Sequence, residues 1–171
     1  MGLRGIGAKP VKQGEKKGSD GLETPLVWQQ KGLSRPERII KFIESLEITS
    51  GIHAGKYFKL RKWQKDILRA IYRTKKGKRQ VRTALATLPR KQGKSVLSSA
   101  LALAHLCGPE AESRGQVYSA ASDRDQAGII FNEMFAFIQA NEYLSERVII
   151  RQFKKELEDI ETGSVYKPLT A

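Results

Sequence analysis

The strongest constraint on this chain is the order of three consecutive segments. A β-rich run from Val81 to Leu88 leads into a short loop, Pro89-Arg90-Lys91-Gln92-Gly93, and then into small and apolar residues from Ser95 to Leu106. The first run is polar only at Arg82, Thr83 and Thr87, and it is long enough for a buried strand. The second has apolar or small side chains on every side, as a buried helix does, and Gly108-Pro109 ends it. A strand turning sharply into a helix sets the free N–H groups of the helix at the corner. Gly93, Lys94 and Ser95 occupy that corner.

Those three residues suit a phosphate. Gly93 allows a tight turn and a close backbone approach, with no Cβ in the way. The opening N–H groups of the helix and its dipole favour an anion there. Lys94 would reach the β- and γ-phosphates of ATP, and Ser95 would offer its hydroxyl to Mg²⁺. Arg90 and Lys91 add two cations. They are either solvated or, for Arg90, placed to sense or stabilise γ-phosphate charge. The candidate nucleotide site is therefore Arg90, Lys91, Gln92, Gly93, Lys94 and Ser95, with Arg90 and Lys94 as candidate catalytic cations and Ser95 as candidate metal ligand. The usual pattern, G-x-x-x-x-G-K-[ST], has glycine where this chain has Leu88. Gly-Lys-Ser alone also begins ordinary helices, so the signal lies in the strand before and the helix after.

Elsewhere the chain alternates helix and strand signals. Residues 1 to about 33 are rich in Gly and Lys without an apolar period, and read as a flexible basic arm or an ordinary disordered terminus. Ser34-Arg35-Pro36-Glu37 has the spacing of a capping box. It precedes a helix whose Ile39, Phe42, Ile43 and Leu46 share one face. Gly51 and Gly55 break the chain before a second helix, about Lys62 to Arg73, and the basic turn Lys75-Lys76-Gly77-Lys78-Arg79 follows. Gln116 to Ala121 reads as a strand. Ser122 and Asp125 suggest a second capping box before a helix containing Ile130, Phe131, Met134, Phe135 and Ile138. Arg147 to Phe153 and Val165 to Leu169 are further strand candidates. The order implies an α/β fold, a parallel sheet flanked by helices of the P-loop NTPase type.

Composition narrows the function. Lys and Arg number 31 against 18 Asp and Glu, a net charge of +13. Such an excess points to a polyanionic partner, most often nucleic acid, or to a solvated basic surface. Cys107 is the single cysteine, which rules out an internal disulfide and a cysteine zinc site. Its apolar neighbours mark it as a buried residue, and His53 and His105 lack metal-ligand spacing. No window approaches a membrane span, and no signal-peptide core is present. Ile6 stands where a myristoylation motif starting at Gly2 needs Ser or Thr. These features fit a cytosolic protein.

At the loop the sequence resembles the large terminase subunit of tailed bacteriophages, whose variant phosphate loop carries an arginine as Arg90 does here. Arg90, Lys94 and Ser95 match that motif position by position. Leu60-Arg61-Lys62-Trp63-Gln64 resembles the family's adenine-reading segment, which implies that Gln64 contacts the base. Trp63 lies on the apolar helix face and equally reads as core. Val117 to Ser122, followed by Gln126-Ala127, is similar to a second motif that couples nucleotide state to DNA.

The likeness runs from about residue 34 to 171. It implies the N-terminal portion of an ATPase domain in a motor that packages double-stranded DNA, with a small terminase subunit and a portal protein as partners. The setting would be the cytoplasm of a bacterial host, with oligomers only in the full-length motor. The family's Walker B strand ending in Asp-Glu and its nuclease domain have no counterpart in this sequence. Glu156-Leu157-Glu158-Asp159 lacks the apolar strand such a pair requires. The expectation is a truncated prophage gene product or fragment, with little or no ATP turnover alone. Two other readings remain open at this point: a helicase-type motor, against which Leu88 counts, and a basic DNA-binding or scaffold protein with no nucleotide role.

Overall fold

The computed structural model describes residues 26–121 and 124–170. Helix α1 (Arg35–Glu44) begins as the sequence suggests, with Pro36 in its first turn. Ser34 precedes it in extended conformation, but its side chain makes no capping bond. Glu37 instead accepts from Arg69 Nε at 2.8 Å, so the expected capping box is replaced by an ion pair to a neighbouring helix. Ile39, Phe42, Ile43 and Leu46 are all fully buried on the shared face. Removing a ring such as Phe42 from that core would cost about 3–5 kcal/mol. Helix α2 (Lys62–Ile71) packs on α1. Leu68 in the helix and Tyr72 directly after it are buried.

The basic turn is a two-stranded hairpin, β1 (Thr74–Lys75) and β2 (Lys78–Arg79). Lys76 and Gly77 both have positive φ, 51° and 75°. That pair of left-handed residues matches the right-handed twist of the ribbon. Beyond it the structure departs from expectation. Val81 to Leu88 lies outside any strand, and Arg82 to Thr87 are exposed, Leu85 at 95%. An apolar run of this kind forms a buried strand only when neighbours bond to it on its edges. None of the described strands does so.

Helix α3 (Lys94–Leu106) buries Ser99, Ala100, Leu103, Ala104 and Leu106. Lys94, Ser95 and Ser98 face solvent, so it is buried along one side and not all round. Strand β3 (Gln116–Ala121) follows, then α4 (Arg124–Gln139) and α5 (Glu142–Arg147), the last capped by Asn141, whose side chain accepts from the Leu144 amide at 3.1 Å. The capping box expected at Ser122 and Asp125 lies outside what the structure describes. Strands β4 (Val148–Arg151), β5 (Glu156–Asp159) and β6 (Val165–Thr170) complete the sheet.

The sheet order is β3-β6-β5-β4. β3 and β6 run parallel, Gln116 opposite Val165 through Ala121 opposite Thr170, while β5 is antiparallel to both its neighbours. The expected parallel pairing is thus present, in a mixed sheet against which α3 and α4 pack. Period-two alternation is clear in β5. Leu157 and Asp159 point inward, while Glu156 pairs with Lys167 at 3.1 Å and Glu158 with Arg151 at 2.5 Å.

The core extends further toward the N-terminus than expected. Trp28 is buried, with its ring edge-on to Phe42 at 5.0 Å and to Tyr143 at 6.0 Å. The basic arm drawn to residue 33 therefore gives way to packed chain by Leu26, because an indole there buries more apolar surface than the flanking Gly and Lys can offset. Residues 1–25 of that arm lie outside the described residues.

Candidate phosphate-binding site

The first turn of α3 builds the site. Gly93 caps the helix in the left-handed region, φ 73° and ψ 26°, and its carbonyl accepts the first helical bond, from Leu97 N at 2.9 Å. Nothing lies within 4 Å of where a Cβ would sit. Glycine is therefore required here by the dihedral angle and not by crowding. Lys91 is also left-handed, φ 63°, although it carries a side chain. Such a residue costs about 1–2 kcal/mol, the kind of local strain that collects at functional sites. A turn of this kind can set successive N–H groups on one side, the backbone arrangement of an anion seat. The amides that open α3 have no partner within the helix and extend that seat.

The side chains give the seat its charge. Lys94 folds back across the loop and donates from Nζ to the Leu88 carbonyl at 2.6 Å, joining the loop's two ends. Arg90, Lys91 and Lys94 are exposed, and none has a carboxylate within ion-pair range among the described residues. Three cations, free helix amides and an open glycine corner fit a polyphosphate. Gln92 contributes backbone to the turn. Ser95 stands exposed in the first helical turn, while its carbonyl accepts from Ser99 Oγ at 2.8 Å, a bond within α3. Among the described residues no cluster of His, Cys, Asp or Glu could hold a metal on its own. The exposed Ser95 hydroxyl is a hard oxygen of the kind Mg²⁺ takes alongside phosphate oxygens.

Gln64 lies in the first turn of α2. As the third residue of α2 it accepts the Arg61 amide on Oε1 at 2.8 Å, which caps the helix. No hydrogen bond joins it to residues 89–95. One turn further along α2, Ile67 and Ile71 face Val81 and Thr83 to Leu88 across a cleft of about 480 Å³. Trp63 is half-buried and stands outside the core.

Other groups singled out in the sequence have structural roles. His105 Nε2 lies 2.8 Å from Tyr72 Oη. Burial pushes the His105 pKa down and that of Tyr72 up to about 12. Burial likewise raises the Cys107 thiol to about 12, which makes it unreactive. In β3, Ser119 Oγ lies 2.7 Å from Tyr166 Oη, so the second motif is tied to the central strand β6. Asp159, last residue of the rejected acidic run, is fully buried and bound by Arg147 and Thr162. Period-two placement of an Asp on the inner face of β5 was the one available signal for that pairing. Arg35, held to Glu110 by Nε at 2.8 Å, had no local signal at all.

The family model for the ATPase domain of the terminase large subunit matches residues 62–171. The large terminase subunit of Enterobacteria phage HK97 is 36% identical over 140 residues, covering 81% of this chain and 27% of that protein. The crystal structure of the HK97 bacteriophage large terminase superposes with a TM-score of 0.73 at 36% identity, over 81% of this chain and 28% of that one. The chain thus spans little more than a quarter of the length of these relatives.

Proposed function

Because the chain belongs to the family of terminase large subunit ATPase domains, we propose that it is the ATP-binding part of a phage DNA-packaging motor. The observation that carries this reading is the corner at Gly93. A left-handed glycine opens α3, Lys94 spans the loop, and Arg90 and Lys91 stand beside it without an acidic partner among the described residues. Lys94 and the helix amides would bind the β- and γ-phosphates, and Arg90 would stabilise charge as it moves onto the γ-phosphate oxygens. Magnesium, carried in with the nucleotide, would neutralise phosphate charge next to Ser95. Gln64 would meet the base through the amide NH₂ that its capping bond leaves over.

Double-stranded DNA, a small terminase subunit and a portal protein are the partners this reading assigns, in the cytoplasm of a bacterial host. Residues 34–171 would form the front portion of the ATPase domain. Phosphoryl transfer relies on placed groups, and no described carboxylate lies against the loop cations. Turnover by this chain alone should therefore stay at background.

The test is a titration with a fluorescent ATP analogue and Mg²⁺, run beside Lys94→Ala. Saturable binding that the substitution weakens about tenfold or more, the worth of a charged hydrogen bond, supports the reading. An intact fold that binds in neither form would contradict it and favour a basic DNA-binding protein without a nucleotide role.

A further inference from the structure

We propose that the hairpin β1–β2 and its flanks, Arg73 to Arg82, form a docking surface for the phosphate backbone of duplex nucleic acid, distinct from the nucleotide loop. From Ile67 to Pro109 the sequence contains no Asp or Glu. Within that stretch Arg73, Lys75, Lys76, Lys78, Arg79 and Arg82 crowd onto one short ribbon, and all are exposed. Arg79 alone among them has a described carboxylate in range, Glu110 at 3.7 Å, and Arg35 already holds that group.

The ribbon keeps these cations against its own stability. Lys75 stands directly opposite Lys78 in the ladder, and like charges so placed repel. Lys76 takes a left-handed turn position, φ 51°, where Asn, Asp or Gly is favoured. Two-residue strands add little stability of their own. A polyanion laid on the ribbon would offset the Lys75–Lys78 repulsion and attract every cation on it, with release of counterions.

The partner's class follows from what the ribbon lacks. Residues 73–80 contain no apolar side chain. A protein partner needs an apolar or aromatic anchor at the centre of its interface, and this surface offers only Val81, at its edge and already partly buried. A phosphate backbone needs only cations. That the polyanion is DNA rests on the proposed function; the charge geometry of the ribbon does not.

The experiment titrates the full chain with a labelled DNA duplex of about 30 base pairs while salt is raised from about 50 to about 200 mM. The triple substitution Lys75→Ala/Lys76→Ala/Lys78→Ala should weaken binding about tenfold or more and flatten the salt slope by roughly 2 to 3, near 0.9 for each phosphate left without its lysine. The matching Lys→Arg triple should keep both, which separates charge from folding. A Lys12→Ala/Lys16→Ala/Lys17→Ala variant reports what the N-terminal segment contributes. Unchanged affinity and slope in the alanine triple overturn the proposal, as does equal loss in both triples or absence of DNA binding by the unaltered chain. ATP-analogue binding measured on the same samples reports on the loop alone, so either reading can fail without the other.

Discussion

Arg147 and Asp159 form a buried two-pronged ion pair, Nε to Oδ1 at 2.5 Å and Nη2 to Oδ2 at 2.8 Å, linking α5 to the inner face of β5. Thr162 also binds the carboxylate, and Glu161 reaches the guanidinium at 2.8 Å. Burial alone would raise the Asp159 pKa, but the bonds from Arg147 and Thr162 together with the Arg147 charge hold it below the usual carboxylate range. Asp159→Ala would leave a buried guanidinium short of its partner and should cost about 3–5 kcal/mol by urea unfolding. The double change Arg147→Met/Asp159→Leu should cost less than that single one.

The same pair sets an acid response. A depressed folded pKa gives stability that is complete above the unfolded value, about 3.9 for Asp, and lost as pH falls through the folded one. The stability gap between the unaltered chain and Asp159→Asn should therefore narrow as pH falls below about 4. A gap independent of pH would mean that the charge on Asp159 contributes nothing.

His105 acts in a higher window. Its pKa is lowered by burial, so the folded chain disfavours the proton that the unfolded chain accepts near pH 6.5. Stability should decline as pH drops below that value and level off beneath the folded pKa. In His105→Gln, the difference in urea midpoint between about pH 7.5 and about pH 5.5 should shrink. The Tyr72 hydroxyl, at about 12, stays neutral throughout and can keep its bond to the neutral ring.

At the loop, Gly93→Ala should lower stability by about 1–2 kcal/mol, the cost of a left-handed non-glycine residue. Since nothing crowds the position, the loss should follow backbone preference and not side-chain size. Gly93→Asn should be milder than Gly93→Val in thermal unfolding, and ATP-analogue affinity should fall in the same order.

Local signals made much of the fold legible in the sequence. Period-3.6 apolar residues marked α1, α2 and α4, and Gly51, Gly55 and Gly93 marked turns that all prove left-handed. Residues 116–121 matched their strand end to end. What stayed hidden depends on distant partners. Val81 to Leu88 carries strand composition, yet a strand needs hydrogen-bonding neighbours, and composition does not reveal whether they are at hand. Trp28 sits in a Gly- and Lys-rich stretch whose average conceals a single core ring. Ser34 and Glu37 had capping spacing, but Arg69, distant in sequence, captured the glutamate. The turn at Gly93 and the start of α3 were readable because both are built from consecutive residues. The cations of the hairpin were visible as a charge run, while the repulsive register that gives them meaning appears only in the ladder.

Amide hydrogen exchange across residues 89–97, with and without ATP and Mg²⁺, tests the central claim most directly. Bound phosphate should slow exchange at Gly93 through Val96, where the opening amides of α3 otherwise face solvent, and Lys94→Ala should abolish that protection. Nucleotide binding that leaves these amides exchanging at their free rate would place the site elsewhere and contradict the account.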